Sequence, residues 1–184
     1  EMIEMKKQEM SCVDCAVQNC NKMDSTYPNF CLTTHMDDAV LQEAMACYEE
    51  EENHKVMVAA AEVESDHYCR YTRVEEIMAF AKKIGAKKIG IATCVGLLRE
   101  SRTLASILRA HGFEVFGIAC KAGAQKKTSV GIPERCNKVG ENMCNPILQA
   151  KMLNEAKTDL NVVVGLCVGH DSLFYNCLLY TSPS

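Results

Sequence analysis

The sequence predicts an α/β protein in which a cysteine-rich segment and a group of helices precede a short parallel sheet with βαβ crossovers, in a Rossmann-like three-layer arrangement. The first observation behind this prediction is a cluster of four cysteines near the start of the chain. The second is a pair of stretches with helical periodicity after the cluster. The third is an alternation of short apolar segments with helical patterns, which is typical of right-handed crossovers. The predicted regions are a metal-binding segment at 1–36, a helical region at 37–84 and the sheet at 85–174.

The bulk composition argues against several classes of protein. The chain has 184 residues, of which 48% are hydrophobic, enough for one substantial domain with its own core. Its net charge of −4 and its lack of a long basic run argue against a nucleic-acid partner. No apolar stretch is long enough for a membrane span, and the polar first residues lack a signal-peptide core. Without an export signal, the twelve cysteines indicate cytoplasmic thiols used for metal or redox chemistry.

The cysteine cluster has the spacing C-x2-C-x4-C-x10-C and comprises Cys12, Cys15, Cys20 and Cys31. The close pair Cys12 and Cys15 puts two sulfurs on one side of a tight loop, and the two further thiols complete a four-sulfur shell. Thiolates prefer soft or borderline metals, so the predicted occupant is Zn²⁺ or a [4Fe–4S] cluster.

Two helical stretches follow the cluster. Thr34 and Asp37 have the spacing of a helix start, and apolar residues at helical intervals continue to about residue 51. A second stretch covers residues 54–83 and is predicted to break near Tyr71. The apolar stripe on its second half is interpreted as ordinary core packing.

Three short segments that are largely apolar along their length are predicted to be strands covered on both faces. They lie at residues 88–93, 113–119 and 160–166. Helices are predicted between them, one at 96–111 and another with a proline at its first position, residue 146. The loop at 121–140 is long for a connection, which indicates a functional or mobile segment.

A cysteine follows each predicted strand: Cys94, Cys120 and Cys167. The carboxyl ends of parallel strands lie on one edge of a sheet, which is where ligands bind in open α/β folds. Cys144 precedes a predicted helix, whose dipole favours a thiolate. These four thiols are therefore predicted to converge on a second site that binds a cofactor or carries out redox chemistry.

Two further residues are candidates for this second site. Cys69, in the helical region, is one, and His170 is the other, as a ligand or proton carrier with Asp171 as its orienting partner. Cys47 and Cys136 carry no spacing signal and are interpreted as structural.

Four segments carry a resemblance to a known family: SCVDC at 11–15, YCRYTRVEE at 68–76, MCNP at 143–146 and TDLNVVVGLCVGHDSLF at 158–174. Together they resemble an uncharacterised prokaryotic family of cysteine-rich metal-binding proteins, over about residues 9–174. The resemblance implies a metal and a cytoplasmic location but no reaction. Family members continue beyond this point, so residues 175–184 are interpreted as a non-native tail that replaces a final strand.

The first cysteine motif alone is also similar to the small [4Fe–4S] domain of corrinoid iron–sulfur proteins. The last spacing is shorter here, and the glycines usual beside those cysteines are absent. This difference leaves the choice between a cluster and zinc open.

Three functions remain open at this stage. The first is a cytoplasmic metalloprotein with a redox centre at the strand ends and a redox or electron-transfer partner protein. The second is a structural zinc protein, with His35 replacing one thiol, whose α/β part binds a small ligand or a protein partner. The third is disulfide exchange by Cys12 and Cys15, which is disfavoured because redox C-x-x-C pairs usually follow a strand.

Overall fold

A computed structural model describes residues 10–179. The chain forms two compact units that divide between Met57 and Val58. The division falls within one helix, α4 (Glu51–His67). Residues 180–184, the end of the predicted non-native tail, lie outside the described residues.

The N-terminal unit is built from short helical elements. These are a 3₁₀ turn at Cys12–Asp14, α1 (Asn19–Lys22), α2 (Leu32–His35) and α3 (Asp38–Cys47). The helix predicted to start around Thr34 instead begins at Asp38, because Asp37 is its N-cap and accepts the Ala39 amide at 2.9 Å. The Thr34 hydroxyl turns back and donates to the Cys31 carbonyl at 3.1 Å.

The described part of the N-terminal unit, residues 10–57, has no hydrophobic core of its own. Among the described residues 10–57, no side chain is buried, and large apolar side chains such as Val40, Leu41 and Met45 are exposed. A segment that buries so little apolar surface gains little from the hydrophobic effect, and segments of this kind usually need a disulfide, a metal or a partner.

The second helical stretch consists of α4 and α5 (Arg73–Ile84), so the predicted break near Tyr71 is confirmed. Thr72 caps α5 in a reciprocal arrangement, because its backbone amide donates to the Glu75 carboxylate at 2.7 Å while its hydroxyl accepts the Glu75 amide. The backbone and side-chain hydrogen bonds from Thr72 lower the pKa of Glu75.

The sheet consists of β1 (Lys88–Thr93), β2 (Glu114–Ala119) and β3 (Leu160–Val164), all parallel and in the order β2-β1-β3. The crossovers pass through α6 (Leu98–Ala110) and α7 (Pro146–Glu155), as the alternating pattern predicts. Thr93 lies opposite both Ala119 and Val164, so the three strands end side by side at one edge. The α/β prediction is therefore confirmed.

Helices cover both faces of the sheet. On one face, residues of α5 and α6 pack with Ile89 and Ile91 of β1. On the other, residues of α7 and α8 (His170–Cys177) pack with Ala92. Residue Gly90 is required between the two isoleucines, because a Cβ there would lie 2.1 Å from the Asn161 side-chain oxygen of β3.

The last helix, α8, was not predicted. Its Phe174 is fully buried, and Cys177 is a partly buried residue that packs against the same core. Regular structure therefore extends beyond residue 174, the last residue of the predicted sheet region. None of the helices within residues 10–179 is both long and apolar enough to cross a membrane.

Candidate thiol sites

The four cysteines of the N-terminal cluster line one small cavity. Its volume is about 150 Å³, and its walls are formed by Cys12, Cys15, Gln18, Cys20, Phe30, Cys31 and Thr33. All four are free thiols, and Cys15 and Cys31 are partly shielded from solvent. The cavity therefore brings together thiols that span twenty residues of sequence.

Local hydrogen bonds hold the cavity walls in position. Cys12 opens the 3₁₀ turn, and its carbonyl accepts the Cys15 amide at 3.2 Å. Cys20 lies in α1, and the Asn19 side chain fastens the loop that follows by donating to the Thr26 hydroxyl at 3.0 Å. Cys31 caps α2, and its amide donates to a carbonyl three residues earlier at 2.9 Å. Turns rather than packing thus position these thiols.

The donor set fits a soft or borderline metal, because four sulfurs border one space and carboxylates are absent from its lining. Among residues 10–179, no three Cys, His, Asp or Glu side chains already stand at metal-ligand positions. Binding would therefore need side-chain rotation toward a common centre. His35, the alternative ligand, lies outside the lining, and its Nδ1 is 3.0 Å from the Cys31 carbonyl.

A second group of thiols meets at the edge of the sheet where the strands end. Cys94 and Cys120 directly follow β1 and β2, and the side chain of Cys144 lies near enough to the Cys120 thiol to raise its pKa. The Cys120 carbonyl accepts the Asn145 amide at 2.7 Å, which ties the start of α7 to the end of β2. The Val95 amide donates to the Cys120 sulfur at 3.3 Å.

The central thiol of this group is strongly shielded. Cys120 is 3% exposed, and burial raises its pKa to about 11, although the Val95 amide opposes the shift. The nearby thiols of Cys144 and Cys94 contribute smaller parts of the same rise in pKa. At neutral pH the Cys120 sulfur is therefore protonated.

A buried glutamine on α7 is hydrogen-bonded to the ends of β1 and β2 at the thiol edge of the sheet. The Gln149 amide nitrogen donates to the Thr93 carbonyl at 3.1 Å and to the Ile118 carbonyl at 2.8 Å. Its side-chain oxygen is buried without a hydrogen-bond partner within the described residues. Gln149 was not among the predicted site residues, although its spacing of four residues from the core residue Leu153 places both on one helix face.

The structure places Cys167 differently from the other strand-end cysteines. Strand β3 ends at Val164, two residues earlier than predicted, because Gly165 turns the chain with φ +63°. A Cβ at Gly165 would lie 2.2 Å from the Leu97 side chain. Cys167 is consequently exposed, and within the described residues no hydrogen bond or electrostatic contact joins its thiol to Cys120.

The other two candidates for this site, His170 and Cys69, make no hydrogen bond with Cys120 within the described residues. His170 begins α8, and its amide donates to the Cys167 carbonyl at 2.9 Å. Cys69 is exposed, with φ +56°, at the break before α5. A cavity of about 460 Å³ adjoins this break, and its walls include Tyr68, Arg73 and Glu76.

The long loop between β2 and α7 is an ordered segment that delivers Cys144 to the edge. The ammonium group of Lys127 is buried and donates to the carbonyls of Cys136 and Gly140, at 2.6 Å each. The Met143 amide donates to the Gln125 carbonyl at 2.8 Å, which fixes the residue before Cys144. Cys136 thus contributes its carbonyl to the loop, in keeping with a structural role.

Comparisons with known proteins identify the family. No solved structure matches the chain. An uncharacterised protein of Methanocaldococcus jannaschii is 45% identical over 135 residues, which cover 73% of this chain and 69% of that protein. A family model described as a protein of unknown function, DUF1847, matches residues 31–180, which include the strand-end thiols and exclude Cys12, Cys15 and Cys20. The chain therefore belongs to the DUF1847 family.

Proposed function

We propose that this protein binds a thiophilic metal, as Zn²⁺ or a [4Fe–4S] cluster, through Cys12, Cys15, Cys20 and Cys31. The observation that carries the proposal is that these four thiols border a single cavity of about 150 Å³. Sulfur ligands in this number are typical of structural zinc sites and of iron–sulfur clusters. The high cysteine content supports a reducing, cytoplasmic setting, where thiols serve metal or redox chemistry.

The packing of the N-terminal unit gives the metal a physical role. Residues 10–57 bury no side chain, so hydrophobic burial contributes little to their folding. A metal bound by four thiolates would supply the missing stabilisation, because ligands brought together only in the folded chain convert binding free energy into folding free energy. The metal would thus organise this unit.

The nature of the metal separates two functions. An iron–sulfur cluster would make the protein an electron carrier or redox protein with a partner protein, and the strand-end thiols would add a second centre. Zinc would make the N-terminal unit a structural element. The α/β unit, which begins at Val58, would then bind a small ligand or a protein partner. The donor set accommodates both.

Anaerobic purification followed by absorption spectroscopy and metal analysis tests the proposal. A brown protein with iron and acid-labile sulfide identifies a cluster, and a colourless protein with one zinc per chain identifies the structural site. In either case, Cys20→Ser should reduce the metal content well below one site per chain. Cys47→Ser is the matched control, because Cys47 is exposed in the same unit but does not line the cavity.

Two results would contradict the proposal. One is a purified protein that contains no metal and takes up neither zinc nor iron with sulfide. The other is a metal content that Cys20→Ser and Cys47→Ser leave equally unchanged.

A further inference from the structure

We propose that Cys120 and Cys144 form a thiol–disulfide exchange pair whose substrate is a small-molecule disulfide. The hydrogen bond between the Asn145 amide and the Cys120 carbonyl, at 2.7 Å, places the residue after Cys144 against Cys120, and the Cys144 side chain is near enough to raise the pKa of Cys120. The pair lies at the edge of the sheet, where open α/β folds bind their ligands. This inference is independent of the metal proposed for the N-terminal unit.

The two thiols differ in exposure, and this difference assigns their roles. Cys144 is partly exposed, whereas Cys120 is 3% exposed and protonated at neutral pH. An incoming disulfide therefore reaches Cys144 first. Cys120 is placed to act second, on the Cys144 sulfur once that sulfur is bonded to the substrate.

The reaction is balanced without a further oxidant. The Cys144 thiolate attacks one sulfur of the substrate, a protein–substrate disulfide forms, and the first substrate thiolate leaves. Cys120 then attacks the Cys144 sulfur, and the second substrate thiolate leaves with the proton that Cys120 gives up. The protein dithiol is oxidised by two electrons to a Cys120–Cys144 disulfide, and one substrate disulfide is reduced to two thiols.

The surrounding backbone favours the second step. The Val95 amide donates to the Cys120 sulfur at 3.3 Å, and this hydrogen bond strengthens as negative charge develops there. Gln149 holds the carbonyls of Thr93 and Ile118 and so fixes the ends of β1 and β2. The attacking sulfur is therefore held on a rigid scaffold.

Cys94 is the other thiol at this edge and the natural competitor. It acts electrostatically on Cys120 but makes no hydrogen bond with it in the described residues. The Asn145–Cys120 hydrogen bond ties the Cys144 segment to Cys120, so we assign the disulfide to Cys144 and keep Cys94→Ser as the matched control.

The test uses the unsubstituted full chain, and a parallel sample with the four N-terminal cluster cysteines replaced by serine shows whether the result depends on the metal there. The protein is incubated with oxidised glutathione, and remaining thiols are blocked before intact mass measurement and peptide mapping. We expect the loss of two hydrogen atoms and a cross-linked peptide containing Cys120 and Cys144. Cys94→Ser should give the same product.

Single substitutions separate the two steps. Cys120→Ser should accumulate a stable mixed disulfide with one glutathione on Cys144, because no second thiol displaces it. Cys144→Ser should form neither this adduct nor the cross-link. The unsubstituted chain gives a second readout if a variant fails to fold, since a limiting amount of alkylating agent should modify Cys144 faster than Cys120.

Three results would overturn the proposal: a cross-link from Cys120 to Cys94, a mixed disulfide on Cys144 that persists although Cys120 is present, and no oxidation at this edge. Zinc uptake by the serine-substituted chain that requires Cys120 would also overturn it, because the thiols would then be metal ligands. None of these results would bear on the N-terminal site.

Discussion

The two thiol groups of this protein are held in place by different means. Around the N-terminal cavity, turns and short helices carry the cysteines, and no described residue of 10–57 is buried. At the sheet edge, Cys94 and Cys120 follow strands that are covered by helices on both faces, and Cys120 itself is buried. The same side chain therefore occurs where the described residues bury no side chain and where a packed core surrounds it. The first group should respond mainly to metal, and the second mainly to packing.

The largest expected effect is the loss of structure in the N-terminal unit when the proposed metal is removed. Apparent metal-binding free energies on the order of 10 kcal/mol accompany folding at structural zinc sites, and little hydrophobic burial replaces them here. We expect a chelator to abolish amide-exchange protection in residues 10–57 while protection in β1 and β3 stays. Hydrogen exchange read by mass spectrometry measures both regions in one experiment.

Cys47→Ser is the control for this effect, since it changes an exposed thiol of the same unit and should leave the exchange pattern unaltered. If amide-exchange protection in residues 10–57 survives complete removal of metal, the N-terminal unit does not need metal to fold, and the proposed difference between the two units is wrong.

A matched pair of leucine substitutions tests the packing side of the comparison. Leu108 is fully buried in α6, whereas Leu41 in α3 is 46% exposed. Leu108→Ala should lower the free energy of unfolding of the α/β unit by about 2–5 kcal/mol, because it removes buried contacts and leaves a cavity. Leu41→Ala should cost less than about 0.5 kcal/mol. Urea unfolding of the two variants measures the difference, and equal costs would mean that α3 has a packed partner in solution.

Substitution of Gln149, which is hydrogen-bonded to the ends of β1 and β2, should change the free energy of unfolding less than Leu108→Ala. Gln149→Leu removes both donors to the Thr93 and Ile118 carbonyls and also removes an unpartnered buried oxygen. The opposing contributions should leave a net loss of about 1 kcal/mol. We expect faster alkylation of Cys120 in this variant, because the ends of β1 and β2 are held less firmly. An unchanged alkylation rate would show that the glutamine does not support the thiol edge.

The sequence was informative about this fold where short-range patterns decide the structure. The predicted and observed bounds of β1 coincide, and β2 differs by one residue, because apolar runs between helical patterns define a parallel sheet. The end of β3 was misplaced because the turn at Gly165 depends on close approach to Leu97, a contact across the fold. That shift accounts for the position of Cys167 away from Cys120.

Two other features depend on contacts that spacing does not reveal. The pattern around α3 predicted a start near Thr34, but Asp37 is the side chain that accepts the free amide, whereas the Thr34 hydroxyl donates to the Cys31 carbonyl. Helix α8 was missed because its buried face rests on one large residue, Phe174, with few apolar residues at helical spacing to signal it.

The last expected effect concerns the protonation of the buried thiol and is seen only above pH 9. Burial raises the pKa of Cys120 from its ordinary value of 9.0 to about 11. Below pH 9 the thiol is protonated in both the folded and the unfolded chain, so its contribution to stability is complete. Between pH 9 and 11 the unfolded chain releases this proton while the folded chain keeps it, and stability falls. Cys120→Ser removes the group, so its stability should fall less steeply over this interval than that of the unsubstituted chain. Urea unfolding at pH 8, 9 and 10 gives the slopes, with Cys47→Ser as the control. Parallel slopes for Cys120→Ser and the unsubstituted chain would mean that the thiol is solvated, and the edge would then resemble the exposed cluster at the N-terminus.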